Sequence, residues 1–377
     1  MKQRILHWCP VALGILFLLS LAYLQRGRAL KGQNDFAQLY AGAQLAGTGN
    51  LYSRAANLTA IQRIHGFTMD TVVYTRPPFY AALLVPLAHL PYLAAYAIFS
   101  LAMLGSFLWF VIRFAKECPS LPFFGAMSVP LLSALCNGQD APLLVAILGG
   151  SMILTRRKKD FLAGLVLSLC AIKFHLFLFL PILLLTKKRW RILGGAAVGI
   201  IVLTGLGALM TGADSLQQYI DVLRDPWINP SPNEMPNLHG LTAALHGDLR
   251  LEILLAASVL LAFLWTTQRT ENFEFLFAAA LVCGLLVSFH AGISDALILF
   301  PAFVMTAGAC TSAPLQATAA VILTPIPYFM TLAGAPYSAA LPGALVLLVG
   351  IFCAVAGQKR SESYLVAGIP GAGVSRS

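Results

Sequence analysis

The sequence predicts an all-α polytopic membrane protein, a bundle of about 10–12 transmembrane helices with large outer loops between spans 1 and 2 and between spans 7 and 8. Of the 377 residues, 58% are hydrophobic and 11% are charged, against about 25% charged residues in an average soluble domain. The apolar residues recur in long runs along the whole chain. So little charge cannot cover a water-soluble surface, which excludes a soluble enzyme.

About 20 apolar residues cross a bilayer as a helix, and this length locates the spans. They are predicted at 5–24, 90–112, 120–136, 140–155, 161–172, 175–186, 192–210, 251–267, 273–289, 293–309, 313–331 and 338–356. The first is interpreted as uncleaved, since no small-residue cleavage site follows it. Two long polar segments, 25–78 and 211–250, form the outer loops. No repeat or linker divides the chain, so we expect one integral domain over 1–377.

The surplus of ten positive charges sets the predicted orientation. With the N-terminus inside, 16 of the 25 Lys and Arg residues fall on the inner side, including the clusters 156–159 and 187–191. Cytoplasmic loops carry such an excess. We therefore expect cytoplasmic termini, an outward-facing site, a bacterial inner-membrane location and no nucleic-acid partner. The seven cysteines are scattered singly and indicate neither a metal site nor a disulfide framework.

The stretch 161–186 conflicts with this charge rule if it forms one helix, because the two basic clusters would then face opposite compartments. A turn near Lys173 returns both clusters to the cytoplasm, at the cost of two helices too short to cross the hydrocarbon core. Helix ends at membrane depth need a polar cavity. The sequence therefore predicts that Lys173 lines a site.

Several polar residues on the predicted outer side are candidates for chemistry. Asp35 is either a helix N-cap or solvated loop residue, or a general base at the membrane surface. Asn137, Gln139 and Asp140 either form an interhelical turn or bind hydroxyl groups of a polar ligand. Tyr40 and Arg76, in the same outer region as Asp35, are further candidates for substrate contacts.

Charged groups at membrane depth form a second set. Lys173, with His175 beside it, either snorkels to the interface or meets an anionic partner such as a phosphate. Asp295 is expected to pair with His290 or Lys173, because an unpaired buried charge is costly.

The second outer loop contributes two candidates. Asn237 and His239 precede an apolar run, where a helix cap and an acceptor contact are equal alternatives.

In combination, six motifs resemble glycosyltransferase family 87, membrane enzymes of the GT-C class that include polyprenyl-phosphate-mannose-dependent mannosyltransferases. They are NDFAQLYAGAQLAGTGNLY (34–52), RPPFYAALLVPLAHLPYLAAY (76–96), NGQDAPLLVAIL (137–148), AGLVLSLCAIKFHLFLFLPILLLTKKRWR (163–191), EMPNLHGL (234–241) and SFHAGISDALILFP (288–301). The resemblance covers about 30–305 and implies a GT-C-like bundle. The pair Thr75-Arg76 stands where an aromatic residue is common before Pro77, which leaves the donor sugar open.

The resemblance implies Asp35 as the catalytic base for transfer of a hexose, with mannose the first candidate, from a polyprenyl-phosphate donor to a lipid or glycan acceptor with inversion. Lys173, His175 and His290 would bind the donor phosphate, with Asp295 orienting His290. No cofactor is expected, and metal dependence stays open. The chain has neither a Gly-rich dinucleotide loop nor an Asp-x-Asp motif, which favours a lipid-carried donor. The alternatives are a secondary transporter of a polar or anionic solute, or a lipid-linked glycan polymerase or ligase.

Overall fold

A computed structural model describes residues 2–31, 33–65, 73–224, 232–309 and 312–367, and every regular element within them is a helix. The predicted class, an all-helical polytopic membrane protein, is confirmed. The α-helices of the first half are α1 Lys2–Leu30, α2 Phe36–Leu45, α3 Arg54–His65, α4 Pro78–Ala88, α5 Tyr92–Phe114, α6 Leu121–Ala126, α7 Val129–Asn137, α8 Ala141–Arg156, α9 Asp160–Leu167 and α10 Phe179–Thr186. Those of the second half are α11 Trp190–Thr211, α12 Ser215–Leu223, α13 Leu238–Ala244, α14 Leu249–Arg269, α15 Phe273–Val287, α16 Leu299–Ala309, α17 Ala313–Leu323, α18 Ile326–Leu332 and α19 Ala340–Ala367.

Short 3₁₀ segments join several of these helices. They are Ser168–Phe177, Pro232–Glu234, Ile293–Ile298 and Tyr337–Ala339. By length and composition, six described helical segments can cross a membrane, or seven if α17 and α18, bent by 50°, count as one span. Five of them are α1, α5, α11, α14 and α19; the sixth is Asp160–Phe177, which combines α9 with the following 3₁₀ segment and has non-helical backbone at Lys173. The other predicted spans correspond to shorter apolar helices such as α8 and α15, or to the broken pair α6 and α7.

The bundle has two ends of opposite character. Arg156 ends α8 and pairs with Glu117 and Glu274, each at 2.6 Å. Lys187, after α10, pairs with Glu271 at 2.7 Å. We call this end, marked by 156–159 and 187–191, the basic face. The opposite end of α8 begins after Asp140, about 24 Å away at 1.5 Å per residue, and we call it the site face.

The chain between the two basic clusters forms a hairpin. Lys173 has non-helical dihedral angles, φ −133° and ψ 58°, in the middle of the 3₁₀ segment Ser168–Phe177. Asp160 at the start of α9 lies 3.9 Å from Arg189 after α10, whereas a straight helix would separate them by roughly 40 Å. The predicted turn near Lys173 is therefore confirmed, and both basic clusters lie on the basic face.

Glycines hold this hairpin against α11. A Cβ atom at Gly164 would collide with the backbone of Ile192, and one at Gly195 would collide with the carbonyl of Phe161. The backbones of α9 and α11 are therefore in direct contact, as in other small-residue helix interfaces in membranes. Gly199 of α11 makes a similar close approach, since its added Cβ would collide with Ser168. Most of the buried apolar residues form one core between Phe36 and Ala356, and Ala41, Ala60 and Ile61 form a small second cluster.

Candidate active site

A cavity of about 550 Å³ opens at the site face. Its polar part contains Asp35, Asn137, Gln139, Lys173, His290 and Asp295. Its apolar part contains Leu21 and Leu24 of α1, Val129 and Leu132 of α7, and Phe329 and Leu332 of α18. Leu24, Phe329 and Leu332 are 73%, 41% and 54% exposed, so the apolar part faces the surroundings of the bundle. The cavity is therefore amphiphilic, with charged groups at one side and an apolar opening.

Asp35 occupies the N-cap position of α2, but its side chain makes no capping hydrogen bond. Its Oδ2 atom accepts a hydrogen bond from Gln139 Nε2 at 2.5 Å, and Gln38 Nε2 lies 3.5 Å from Oδ1. The structure thus places Asp35 in the cavity wall and turns its carboxylate toward a residue 104 positions away. Of the roles that the sequence suggested for Asp35, the helix cap is wrong, because its side chain makes no capping hydrogen bond.

A glycine turn brings Gln139 and Asp140 to the site. Gly138 ends α7 in the left-handed region with φ +65°, and Gln139 N donates to Ala134 O at 2.7 Å. A Cβ atom at position 138 would overlap Phe36, the neighbour of Asp35. Glycine therefore serves both the backbone conformation and the close approach of α7 to α2.

Gln139 lies at the centre of the polar network. Its Oε1 atom accepts hydrogen bonds from Arg76 Nη2 at 3.0 Å and from Lys173 Nζ at 2.8 Å. Its Nε2 atom donates to Asp35. One amide thus connects the half-exposed carboxylate of Asp35 to two cations.

The cations are paired with two buried carboxylates. Lys173 Nζ donates to Asp295 Oδ1 at 2.5 Å and lies 3.1 Å from Asp140 Oδ1. Arg76 Nε donates to Asp140 Oδ2 at 3.0 Å. Asp140 and Asp295 are 0% and 2% exposed. Burial lowers the pKa of Arg76, but the charge of Asp140, its hydrogen bond and the charge of Asp295 together outweigh burial, so the pKa of Arg76 lies above its ordinary value.

The network contains three aspartates and two cations. Asp140 and Asp295 contact Arg76 and Lys173, whereas Asp35 has no cation within ion-pair distance among the described residues. The network therefore carries one negative charge that no cation compensates, and that charge is on Asp35. Of the two partners predicted for Asp295, the structure selects Lys173.

The loop before α4 positions Arg76. The hydroxyl of Tyr52 donates to the carbonyl of Arg76 at 2.7 Å, and the hydroxyl of the buried Tyr74 donates to that of Pro77 at 3.0 Å. The two tyrosines fix the backbone from which the guanidinium reaches Asp140 and Gln139.

The two predicted phosphate-binding histidines are neighbours with different surroundings. Their ring centroids are 6.1 Å apart. His290 lines the cavity, whereas His175 is buried against Phe289, with ring centroids 4.9 Å apart. His175 Nε2 has no hydrogen-bond partner among the described residues. Of the pair, His290 is the one placed to meet a ligand in the cavity.

Five predicted substrate contacts do not line the cavity. Arg76 and Asp140 belong to the network behind it, and the other three lie elsewhere. Tyr40 donates to Leu90 O at 2.6 Å and faces a second cavity, of about 960 Å³, between α2, α3 and α4. Asn237 is fully buried, caps α13 by accepting from Gly240 N at 2.9 Å, and donates to Ser288 O at 2.8 Å. His239 Nδ1 lies 2.9 Å from Glu252 Oε2. Asn237 thus matches the capping alternative.

Sequence reasoning missed other cavity residues. Glu234 and Gln25 line the cavity, as do the apolar residues of α1 and α18. Glu234 is the single acidic residue of 229–247, a signal that could have selected it ahead of its neighbours. The apolar residues gave no comparable signal, because a cavity opening and a lipid-facing surface have the same composition.

A family model described as "Glycosyltransferase family 87" matches residues 74–289, more than half of the chain. The chain belongs to glycosyltransferase family 87. Compared with curated proteins and with solved structures, it has no match.

The family assignment makes this protein a membrane glycosyltransferase, with a sugar donor and an acceptor as substrates. The matched range contains Arg76, Gln139 and Lys173 and ends one residue before His290. Asp35 and Asp295 lie outside it, but hydrogen bonds join them to the matched Gln139 and Lys173.

Proposed function

We propose that this member of glycosyltransferase family 87 transfers a hexose, with mannose the first candidate, from a polyprenyl-phosphate donor to a hydroxyl of a lipid or glycan acceptor. Transfer takes place at the outer face of the membrane and inverts the anomeric carbon. Asp35 is the general base. The family assignment favours transfer over the alternative of solute transport.

The observation that carries the assignment of the base is the uneven pairing of the three aspartates. Asp140 and Asp295 are buried and neutralised by cations, which makes them poor proton acceptors. Asp35 lines the cavity without a cation among the described residues. A general base must reach the reacting hydroxyl and be free to take its proton. Asp295 also lines the cavity, but its ion pair with Lys173 weakens it as a proton acceptor. Of the three, Asp35 is the one that lines the cavity without a cation partner among the described residues.

The reaction then runs as an in-line displacement. Asp35 accepts the proton of the acceptor hydroxyl while that oxygen forms a bond to the anomeric carbon of the donor. The bond from that carbon to the phosphate oxygen breaks on the opposite side, and its electron pair leaves with the lipid phosphate. Attack from the side opposite the leaving group inverts the configuration.

The leaving phosphate gains negative charge, which nearby cations and donors stabilise most in the transition state. Lys173 donates hydrogen bonds to Gln139 and Asp295 and lies 3.1 Å from Asp140, so its contribution to the leaving phosphate is through its charge. His290 is the neighbouring side chain that lines the cavity and is assigned direct contact with the phosphate. His175 packs behind it.

The amphiphilic cavity suits a lipid-linked donor. The polar side accommodates the sugar and phosphate, and the apolar opening between α1 and α18 provides a path for a polyprenyl chain. The orientation follows from charge: the basic face is placed in the cytoplasm, so the site face is outward. Nucleotide sugars are made in the cytoplasm, and a carrier lipid brings the sugar to such a site.

The test uses purified protein in vesicles, a panel of polyprenyl-phosphate sugars with radiolabelled hexoses, and a lipid extract of the native membrane as the acceptor source. We expect one donor to give labelled product, and we expect Asp35→Asn to reduce turnover by at least a hundredfold. The matched control is Asp214→Asn, because Asp214 also occupies a helix N-cap position without a capping hydrogen bond but is exposed and away from the cavity.

Near-normal turnover of Asp35→Asn would remove Asp35 as the base. Product formation from a nucleotide sugar, but from no polyprenyl-phosphate sugar, would contradict the donor class. Retention of the anomeric configuration in the product would contradict the single displacement.

A further inference from the structure

We infer that Gln139 is a positioning residue for Asp35 and not a ligand of the substrate, which was the role expected from the sequence. The inference rests on the proposed role of Asp35 as the base. It is drawn from the three hydrogen bonds of the Gln139 amide, which use both ends of the side chain within the protein.

The orientation of this amide is fixed by its neighbours. Arg76 and Lys173 can only donate hydrogen bonds, so the atom they approach at 3.0 and 2.8 Å must be the oxygen. The amide nitrogen then faces Asp35, whose ionised carboxylate can only accept. A flipped amide would place its nitrogen against two cations and its oxygen against a carboxylate. One arrangement is therefore strongly favoured, and it holds an N–H group toward Asp35.

The amide also separates the base from the two cations. Arg76 and Lys173 both end at Gln139 Oε1, one side chain away from the carboxylate of Asp35. A cation in direct contact would favour the ionised form and weaken Asp35 as a proton acceptor. Gln139 donates a hydrogen bond to Asp35 but carries no positive charge. Asp35 is therefore oriented and still able to accept a proton.

The two carboxylate oxygens of Asp35 consequently differ. Oδ2 is held by Gln139 at 2.5 Å, whereas the nearest described donor to Oδ1 is Gln38 Nε2 at 3.5 Å. The geometry leaves Oδ1 for the acceptor hydroxyl. Loss of the Gln139 contact frees the carboxylate to rotate, which lowers the rate of transfer more than the binding of donor.

Two variants test this inference in the vesicle assay with polyprenyl-phosphate-[14C]mannose, or with the hexose that the donor panel selects. Gln139→Glu keeps an oxygen for Arg76 and Lys173 but replaces the N–H group that faces Asp35. Gln139→Leu removes both contacts. We expect kcat to fall by about 10- to 150-fold, the loss for one hydrogen bond to a charged group, while the KM for the donor changes less than threefold.

The matched control is Gln217→Leu. Gln217 Nε2 also donates to an aspartate, Asp221 Oδ1 at 3.1 Å, but both residues are exposed on α12. We expect its kcat and KM to match those of the parent protein. Thermal unfolding is measured for both variants, because Gln139→Glu sets a second carboxylate against Asp35 and Gln139→Leu leaves Arg76 and Lys173 without this acceptor. Each should keep a cooperative unfolding transition above the assay temperature.

The outcomes separate this inference from the proposed function. A raised KM with an unchanged kcat in Gln139→Glu would make Gln139 a substrate ligand and overturn the inference. Unchanged kcat and KM in both variants would overturn it as well. Near-normal turnover of Asp35→Asn, by contrast, would overturn the proposed base whatever the Gln139 variants do.

Discussion

Replacing Gly138 by alanine is expected to lower activity strongly by displacing Asp35, although the residue at position 138 does not itself react with substrate. Gly138 has φ +65°, and an added Cβ atom would lie 3.2 Å from Phe36 Cα and closer still to Phe36 Cβ. Carbon atoms pack at about 3.5–4.0 Å, so relief of the overlap requires a movement of roughly 1 Å. Phe36 is bonded to Asp35, and the movement therefore acts directly on the 2.5 Å contact between Asp35 and Gln139.

The size of the effect follows from this displacement. The left-handed conformation by itself costs an alanine about 1–2 kcal/mol of stability. A misplacement of about 1 Å at a reacting group can cost on the order of a hundredfold in rate. We therefore expect Gly138→Ala to lower kcat about a hundredfold, with a moderate loss of thermal stability.

The chain offers a control that isolates the collision from the backbone strain. Gly49 has φ +74°, and no atom lies within 4 Å of the position of an added Cβ. Gly49→Ala should lose the same order of stability and keep its activity. Both variants are compared by radiolabelled-sugar transfer in vesicles and by thermal unfolding in detergent. Equal activities of the two variants would refute the reasoning from steric overlap.

Two further predictions concern the charges and the topology. Lys173→Met should lower the free energy of unfolding by about 3–5 kcal/mol, because it leaves the buried Asp295 without a cation while Asp140 keeps Arg76. Combining Lys173→Met with Asp295→Asn should recover much of that loss. Equal melting temperatures for the single and double variants would contradict the ion-pair argument. Single cysteines introduced at Lys158 or Lys188 of an otherwise cysteine-free protein should react with a membrane-impermeant maleimide from the same side of sealed vesicles. The reason is that the hairpin returns both turns to the basic face. Labelling from opposite sides would contradict the hairpin.

Much of the fold was predictable because it depends on local composition. Apolar length located the membrane helices, and the repeated basic clusters located the turn at Lys173. The count of full-length spans was less accessible, because α6 and α7 are separated at Met127 and Ser128 within a largely apolar stretch. Ser128 caps α7 by accepting from Leu131 N, and Pro130 stands in its first turn. A helix break made by a cap and a proline does not alter the hydropathy from which the spans were located.

The sequence identified residues of the candidate site but not which of them contact one another. Asp35, Gln139, Lys173 and Asp295 were all identified as candidates, and they share one network. Asn237 and His239 were chosen by the same reasoning from polar residues in an outer loop, and they serve as a cap and as a partner of Glu252. A polar residue near a helix start has the same local signature in either role.

The sequence by itself determined the all-helical membrane class, the family resemblance and the sided distribution of charge, because each depends on residue type and spacing along the chain. Only the tertiary structure decided which charges meet. Lys173 pairs with Asp295 across 122 residues, and Gln139 reaches Asp35 across 104. Such contacts arise when separate helices pack, and the resulting ion pairs compensate the charges of Asp140 and Asp295. Asp35 is left at the cavity without a cation among the described residues.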